Sequence, residues 1–311
     1  MNRAYCQKSI CFWLLFLITL LSASTCFGEK LPVVASIFPL ADMIQQVGGE
    51  HVDVIFVLPA GASPHTFEPK PSLVKKISSA RIFFMVGVGL EFWAQKFISL
   101  SKAALKAVVL SNEVPLIYTT GHFDDHQKHH GEKNDSDVRL NVANPHIWLD
   151  PVIAKSMVNT IIAALSEVDN RHLTYYNQQG QMYLDELDKL DGLINATVES
   201  FRIKKYVSFH TSWDYFARQY DLQSVGVIEA APGRNPTPVR IKNIVASIKK
   251  HNIKAVFAEP QLNSRAAEVI AKEANVKLLM LDPMGGPKIK GRNSYIDLMR
   301  YNLNVFKEAL E

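Results

Sequence analysis

The sequence predicts an α/β protein with two lobes, each built on a mainly parallel sheet of four strands flanked by helices. The first observation is a set of short, continuously apolar runs, which are typical of strands buried on both faces. The second is that segments of helical character alternate with these runs, as in α/β folds. The third is that the runs form two groups of four, one before residue 111 and one after residue 204.

Each predicted element follows from a local pattern. The eight predicted strands cover residues 31–37, 52–58, 81–88, 106–110, 205–209, 224–228, 254–258 and 276–281. The helical segments between them cover residues 39–49, 71–80, 238–252 and 264–276. Strand and helix therefore alternate within each group, which favours parallel pairing in both sheets.

A long segment without any strand pattern separates the two groups of strands. Within residues 177–200, Leu187, Leu190 and Ile194 recur near helical spacing with charged residues between them. This pattern predicts one long amphipathic helix. We expect an N-terminal lobe over residues 29–168, and a single stiff connecting helix would limit how far the lobes can move.

The remaining boundaries follow from that connecting helix. We place the helix within residues 169–203 and the C-terminal lobe over residues 204–311. About 280 residues exceed what one core usually serves, which agrees with two lobes.

Residues 1–28 have the pattern of a secretory signal peptide. Arg3 and Lys8 precede a mainly apolar run of 12 residues, and small and polar residues follow before Glu29. The run is shorter than the ~20 residues that a membrane span needs. We therefore expect a mature protein in the periplasm, and Cys26 leaves a lipid-anchored form as the alternative.

Composition limits the chemistry and the partners. All 3 cysteines lie in or at the edge of the predicted leader, so the mature chain should contain no disulfide and no thiolate metal site. Two of the 34 basic residues also lie there, which leaves 32 against 30 acidic residues. This balance gives no sign of a nucleic-acid partner, and we expect a monomer.

Four side chains of metal-binding type follow strands or turns in both halves of the chain. They are His65 and His146 in the first half, and His210 and Asp282 in the second. Ligands of open α/β sheets bind beyond the carboxyl ends of strands, so these four can meet in a cleft between the lobes. Glu259, which follows the strand at 254–258, is a rival for the carboxylate position.

The types of these side chains favour zinc. Three imidazoles and one carboxylate fill a tetrahedral shell, whereas manganese prefers more oxygen ligands. A shell filled by protein has no open position for an activated water, so the set favours carrying the ion over using it in catalysis. Water in place of the carboxylate remains an alternative, and manganese is the second choice of ion.

A second group of histidines lies in a polar segment, residues 121–137. The segment lacks apolar periodicity and is therefore expected to be a loop of the N-terminal lobe. We expect its histidines to bind additional zinc weakly as an accessory site, or to be merely polar residues of a biased loop. These histidines are His122, His126, His129 and His130.

Several motifs together resemble one family. PHTFEPKPS and NPHIWLDP are the most specific, and SFHTSWDYFARQYDL and the segment from AEPQ to LDPMGG also match. They are similar to the metal-binding receptors of zinc and manganese ABC importers, in the order expected over the mature chain. Departures occur at Leu73, Thr211 and Asp221, which leave open the hydrogen bonds that orient the ligands.

The resemblance implies two α/β lobes joined by a rigid helix, with an ion bound between them at His65, His146, His210 and Asp282. Histidine at the third of these positions, and a histidine-rich loop, are features of the zinc-type members. The implied function is capture of Zn²⁺ outside the cytoplasm and its delivery to a permease of the ABC type in the membrane. Such a receptor is not an enzyme.

Two further functions remain open. A secreted zinc-dependent hydrolase could use the three histidines for the metal and Asp282 or Glu259 as a general base, although HExxH, H-x-H and GxSxG are all missing from the sequence. A manganese-binding receptor or an adhesin of the same fold is the other alternative.

Overall fold

Two parallel four-stranded sheets form the centre of the structure. The computed structural model describes residues 29–77, 79–100, 105–120, 141–229 and 233–311. The strands are β1 Leu31–Ala35, β2 Val52–Phe56, β3 Ile82–Met85, β4 Lys106–Val109, β5 Tyr118–Thr120, β6 Asn141–Ala143, β7 Lys205–Ser208, β8 Gln223–Val227, β9 Ala255–Ala258 and β10 Lys277–Met280. The two-lobed α/β prediction is confirmed, since all eight predicted strands are present.

The strand order explains which runs are most apolar. The first sheet has the order β2-β1-β3-β4 and the second the order β10-β9-β7-β8, and all the pairs within them are parallel. β1, β3, β7 and β9 are therefore interior strands. The β9 segment AVFA is buried at every position, as expected for a strand covered on both faces.

Helices cover both sheets. They are α1 Phe38–Gly48, α2 Pro71–Ile77, α3 Ala94–Leu100, α4 Pro151–Val168, α5 Leu173–Glu199, α6 Asp214–Gln219, α7 Pro238–Lys250, α8 Arg265–Ala274 and α9 Tyr295–Leu310. The start of α4 shows why one helix begins where it does. Asp150 is its N-cap and accepts from the backbone N–H groups of Val152 and Ile153, and Pro151 is the first helical residue.

The predicted connecting helix corresponds to α5, which is 27 residues long and therefore spans roughly 40 Å. Its buried positions follow one face of the helix and include Tyr183, Leu187 and Ile194. Gly180 lies against Ile162 of α4 so closely that a Cβ atom there would overlap that side chain. The two long helices are therefore packed tightly along their length.

The largest apolar cluster extends through both halves of the chain. It includes Val33 of β1 and Met43 of α1, and also Phe216 and Phe306 from the C-terminal half. The rings of Phe216 and Phe306 are stacked with centroids 5.1 Å apart. Because all of this lies within one compact unit, Leu31–Glu311, a common core links the sheets.

The strands β5 and β6 were not predicted from the sequence. They form a two-stranded antiparallel sheet, in which Tyr118 pairs with Ala143. This pair brackets the histidine-rich segment. The predicted loop at 121–137 and the predicted signal peptide at 1–28 both lie outside the described residues.

Candidate metal centre

Three of the four predicted ligands meet beyond the carboxyl ends of the strands. His65 lies in the connection between β2 and α2, and His210 follows β7. His146 immediately precedes a short 3-10 helix, Ile147–Leu149. His146 and His210 are buried, whereas His65 is half-buried.

The nitrogen atoms of these rings are close enough to share one ion. His65 Nε2 is 3.1 Å from His146 Nε2, and His210 Nε2 is 3.2 Å from the same atom. In a tetrahedral zinc site with Zn–N bonds of ~2.0–2.1 Å, two ligand nitrogens are roughly 3.3 Å apart. Among the described residues, these three histidines are the only group of three or more potential ligands within 4.8 Å of one another.

The ring of His146 is oriented by Asn144. Asn144 Oδ1 lies 2.8 Å from His146 Nδ1, while the amide nitrogen of Asn144 donates to the Thr211 carbonyl and to Asp214. This network assigns Oδ1 as the acceptor, so the proton of neutral His146 is on Nδ1. The lone pair on Nε2 then faces the other two rings.

His210 is oriented in the same way by Glu259. Its Nδ1 is 2.8 Å from Glu259 Oε1, which also accepts from the Ser212 hydroxyl. A carboxylate can only accept here, so the tautomer of His210 that donates from Nδ1 presents a lone pair at Nε2. Two lone pairs 3.2 Å apart cannot form a hydrogen bond with each other. A cation between them would turn this repulsive contact into two bonds.

The electrostatics of the group favour the neutral forms of His65 and His146. Burial lowers the pKa of His65 to about 3, with a further electrostatic contribution from His210. Burial also lowers the pKa of His146 well below its usual value of 6.5, and His210 and His65 add to this effect. Neutral imidazole is the form that binds a metal, so both rings are ready to bind at pH 7.

The structure does not bring Asp282 into this group. Its Oδ2 accepts from Arg292 and its Oδ1 accepts from Gln261, and Met284 and Gly285 donate to Oδ1 through their backbone N–H groups. The group of ligand atoms within 4.8 Å contains only the three histidines. The physical reason for this departure from the predicted arrangement is that Asp282 already has a cationic partner.

Glu259 has a different role from the carboxylate ligand that was considered from the sequence. One of its oxygens orients His210, and the other, Oε2, is buried and has no hydrogen-bond partner among the described residues. The orienting roles of Asn144 and Glu259 were not predicted. The available signals were the position of Asn144 two residues before His146 and that of Glu259 directly after β9.

The three imidazoles line a very small cavity of about 10 Å³. That is close to the smallest volume that holds one water molecule. The walls are completed by Ser63, Pro64, Glu259, Gln261, Leu262, Pro283 and Met284. The accessory histidines His122, His126, His129 and His130 lie outside the described residues.

Comparisons with known proteins identify relatives over most of the chain. The sequence profile of the family described as zinc-uptake complex component A, periplasmic, matches residues 33–309. The high-affinity zinc uptake system protein ZnuA of Bacillus subtilis (strain 168) is 28% identical over 289 residues, which cover 91% of this chain and 88% of that protein.

Solved structures have the same fold. A crystal structure of ZnuA superimposes with a TM-score of 0.79 at 26% identity and covers 91% of this chain and 100% of its own. A manganese-bound periplasmic metal-binding protein from Candidatus Liberibacter asiaticus has a TM-score of 0.76 at 19% identity, over 90% of this chain and 99% of its own. A likeness at that identity shows the fold alone. By its profile match, the chain belongs to the zinc-uptake complex component A family.

Proposed function

We propose that this protein captures Zn²⁺ outside the cytoplasm and delivers it to an ABC-type permease. The observation that carries the proposal is the convergence of three imidazole nitrogens in a buried cleft, at separations that suit a tetrahedral zinc shell. Family membership and the zinc-uptake role named for the Bacillus relative support the same function.

Zinc is the proposed ion because the donors are nitrogen atoms. Imidazole suits zinc, whereas carboxylate, carbonyl and water oxygens suit manganese. The converging set contains three imidazoles and no carboxylate. The manganese-bound structural neighbour shares the fold alone and does not alter this argument.

A receptor also fits the cavity better than a hydrolase does. A hydrolase with the same three ligands would need room for a substrate beside the ion, and the cavity of about 10 Å³ offers room only for an ion and its immediate ligands. We therefore propose transport without catalysis.

The remaining parts of the proposal rest on the sequence. A cleaved signal peptide over residues 1–28 would release a monomeric receptor into the periplasm, where it would meet the permease. The lobes proposed over residues 29–168 and 204–311, with the connecting helix within 169–203, would each supply part of the site. The histidine-rich loop at 121–137 would bind further zinc weakly.

The direct test is a calorimetric titration of the metal-free mature chain with Zn²⁺. We expect one tight site per chain, which is lost in the variant His146→Ala. His251→Ala is the matched control, because His251 lies at the end of α7 beside Lys205 and outside the group of three. Failure to detect a tight site, or an equal loss in both variants, would contradict the proposal.

A further inference from the structure

We propose that Arg292 is a positioning residue that holds the Asp282 carboxylate away from the bound ion, and thereby favours zinc over manganese. The fourth position on the ion is then taken by water. This inference rests on the proposed zinc-binding function and adds a determinant of selectivity to it.

The Asp282 carboxylate is fully buried, and both of its oxygens accept hydrogen bonds. Its Oδ2 is 2.8 Å from Arg292 Nη1, and its Oδ1 accepts from Gln261 Nε2 at 2.8 Å. Two backbone N–H groups, those of Met284 and Gly285, also donate to Oδ1 at 3.0 and 3.1 Å. These four hydrogen bonds, one of them from a guanidinium, stabilise the carboxylate where it lies and compete with a bond to the ion.

The backbone of Asp282 is fixed as well. Its N–H donates to Asn302 Oδ1, and its carbonyl accepts from Asn302 Nδ2. Asn302 is itself fully buried in α9. The carboxylate therefore cannot approach the imidazoles by a small shift of the main chain alone.

Arg292 is held in place independently of Asp282. Its guanidinium lies over the ring of Tyr301, 4.6 Å from the centroid. Its carbonyl accepts from Gly286, and a Cβ on Gly285, whose φ is +61°, would come within 2.6 Å of that carbonyl oxygen. The tight turn from Gly285 to Arg292 thus requires glycine and presents the guanidinium to Asp282 from a fixed position.

Unpartnered oxygens around the cleft indicate what would replace Asp282. Glu259 Oε2, Gln261 Oε1 and Ser63 Oγ are buried and have no hydrogen-bond partner among the described residues. All three residues line the cavity together with the three imidazoles. A water molecule on the ion could donate hydrogen bonds to two of these oxygens. Buried acceptors are normally paired with a donor, and such a water would be that donor.

Gln261 connects these two features. Its amide nitrogen donates to Asp282, while its amide oxygen is among the unpartnered atoms of the cleft. The same side chain that helps to hold Asp282 can therefore accept from a water on the ion. The shell would contain three nitrogens and one water, which disfavours manganese because manganese prefers carboxylate oxygens.

The test measures the affinities of the mature chain for Zn²⁺ and Mn²⁺ by competition with a chelating dye. In Arg292→Met, which keeps the length of the side chain without its charge, Asp282 is released and the affinity for Mn²⁺ should rise about tenfold relative to that for Zn²⁺. Adding Asp282→Asn to this variant should restore the original ratio. Arg292→Lys, which keeps the charge, should retain most of the original ratio.

A second readout does not depend on Arg292→Met folding normally. The visible absorption of Co²⁺ bound to the protein reports its ligands, and it should be the same in Asp282→Asn as in the unmodified chain. A changed cobalt spectrum in Asp282→Asn, or an unchanged metal ratio in folded Arg292→Met, overturns the role of Arg292 while tight zinc binding by the unmodified chain would still stand. A chain that binds no zinc overturns both proposals.

Discussion

His210 and His65 belong to the same cluster but are held in different ways. His210 is buried, and Glu259 fixes its Nδ1, with Ser212 bonded to the same carboxylate oxygen. His65 is half-buried in the long connection after β2, and no described residue accepts from or donates to its Nδ1. One side of the site is therefore built by supporting hydrogen bonds before the ion arrives, and the other is not.

The difference indicates that the two sides of the site contribute differently to zinc binding. His146 and His210 form a preorganised pair, because each Nδ1 has a fixed acceptor and each Nε2 points at the other. Preorganised ligands need no further ordering on binding, so their bonds contribute more to the net affinity. His65 would be the last ligand to bind and the first to leave.

The largest expected effect comes from removing a ligand from the preorganised side. We expect His210→Ala to weaken zinc binding by about 1,000-fold, which corresponds to about 4 kcal/mol. His65→Ala should reduce zinc affinity clearly less, because the binding of His65 to the ion includes the ordering of its own side chain. Calorimetry on both variants measures the difference, and equal losses would remove the proposed distinction between the two sides.

The second prediction concerns the stability of the metal-free protein. Burial lowers the pKa of His65 to about 3, below its value of 6.5 in the unfolded chain, so between these pH values the unfolded state binds more protons. The contribution of neutral His65 to the free energy of unfolding is fully present above pH 6.5. It is lost as the pH falls toward 3, by about 1.4 kcal/mol per pH unit.

Urea unfolding at pH 7 and pH 5 checks this prediction when it is carried out on the unmodified chain and on His65→Gln. Between pH 7 and pH 5, the free energy of unfolding should fall by about 2 kcal/mol less in His65→Gln than in the unmodified chain. The difference between proteins is the useful quantity, because burial raises the pKa values of Asp150 and Asp214 to about 6 and these groups act in the opposite sense. An identical pH dependence in the two proteins would show that His65 is not buried as a neutral ring.

A smaller effect is expected from the residue that orients His210. Glu259→Gln keeps the size of the side chain but replaces the carboxylate with a weaker acceptor, so zinc affinity should fall by about tenfold. Glu308→Gln is the control, because Glu308 forms an exposed ion pair with Lys277. An unchanged affinity in Glu259→Gln would show that His210 does not need its partner.

The smallest effect on the tight site is expected from the histidine-rich segment. Deleting residues 121–137 should remove weak zinc binding and leave the tight site unchanged, because the converging nitrogens all lie outside the segment. The stoichiometry in an excess of zinc measures the weak sites. Loss of the tight site in the deletion variant would show that residues 121–137 also contribute to that site.

The sheets could be predicted from the sequence because their strands are buried on both faces and are therefore continuously apolar. The β5 and β6 strands could not be predicted, since three residues each beside a polar segment give too little pattern. The long predicted helix extends further than its apolar pattern indicated, and α5 begins at Leu173.

The candidate site was predictable to the extent that strand ends determine it. His65 and His210 were found because residues at the carboxyl ends of parallel strands converge, and His146 because it lies in a turn before a helix. Asp282 was chosen by the same rule, but its partner Arg292 lies ten residues later, at the end of a turn whose geometry no local pattern reveals. Ion pairs between side chains depend on tertiary packing, which residue type and spacing do not specify.

The central claim is that the Nε2 atoms of His65, His146 and His210 bind one zinc ion. X-ray absorption at the zinc edge of the protein loaded with one equivalent tests this most directly. We predict scattering from three imidazole rings, with Zn–N distances of ~2.0–2.1 Å. A spectrum that requires one imidazole or none, with the shell made of oxygen ligands, would contradict the account.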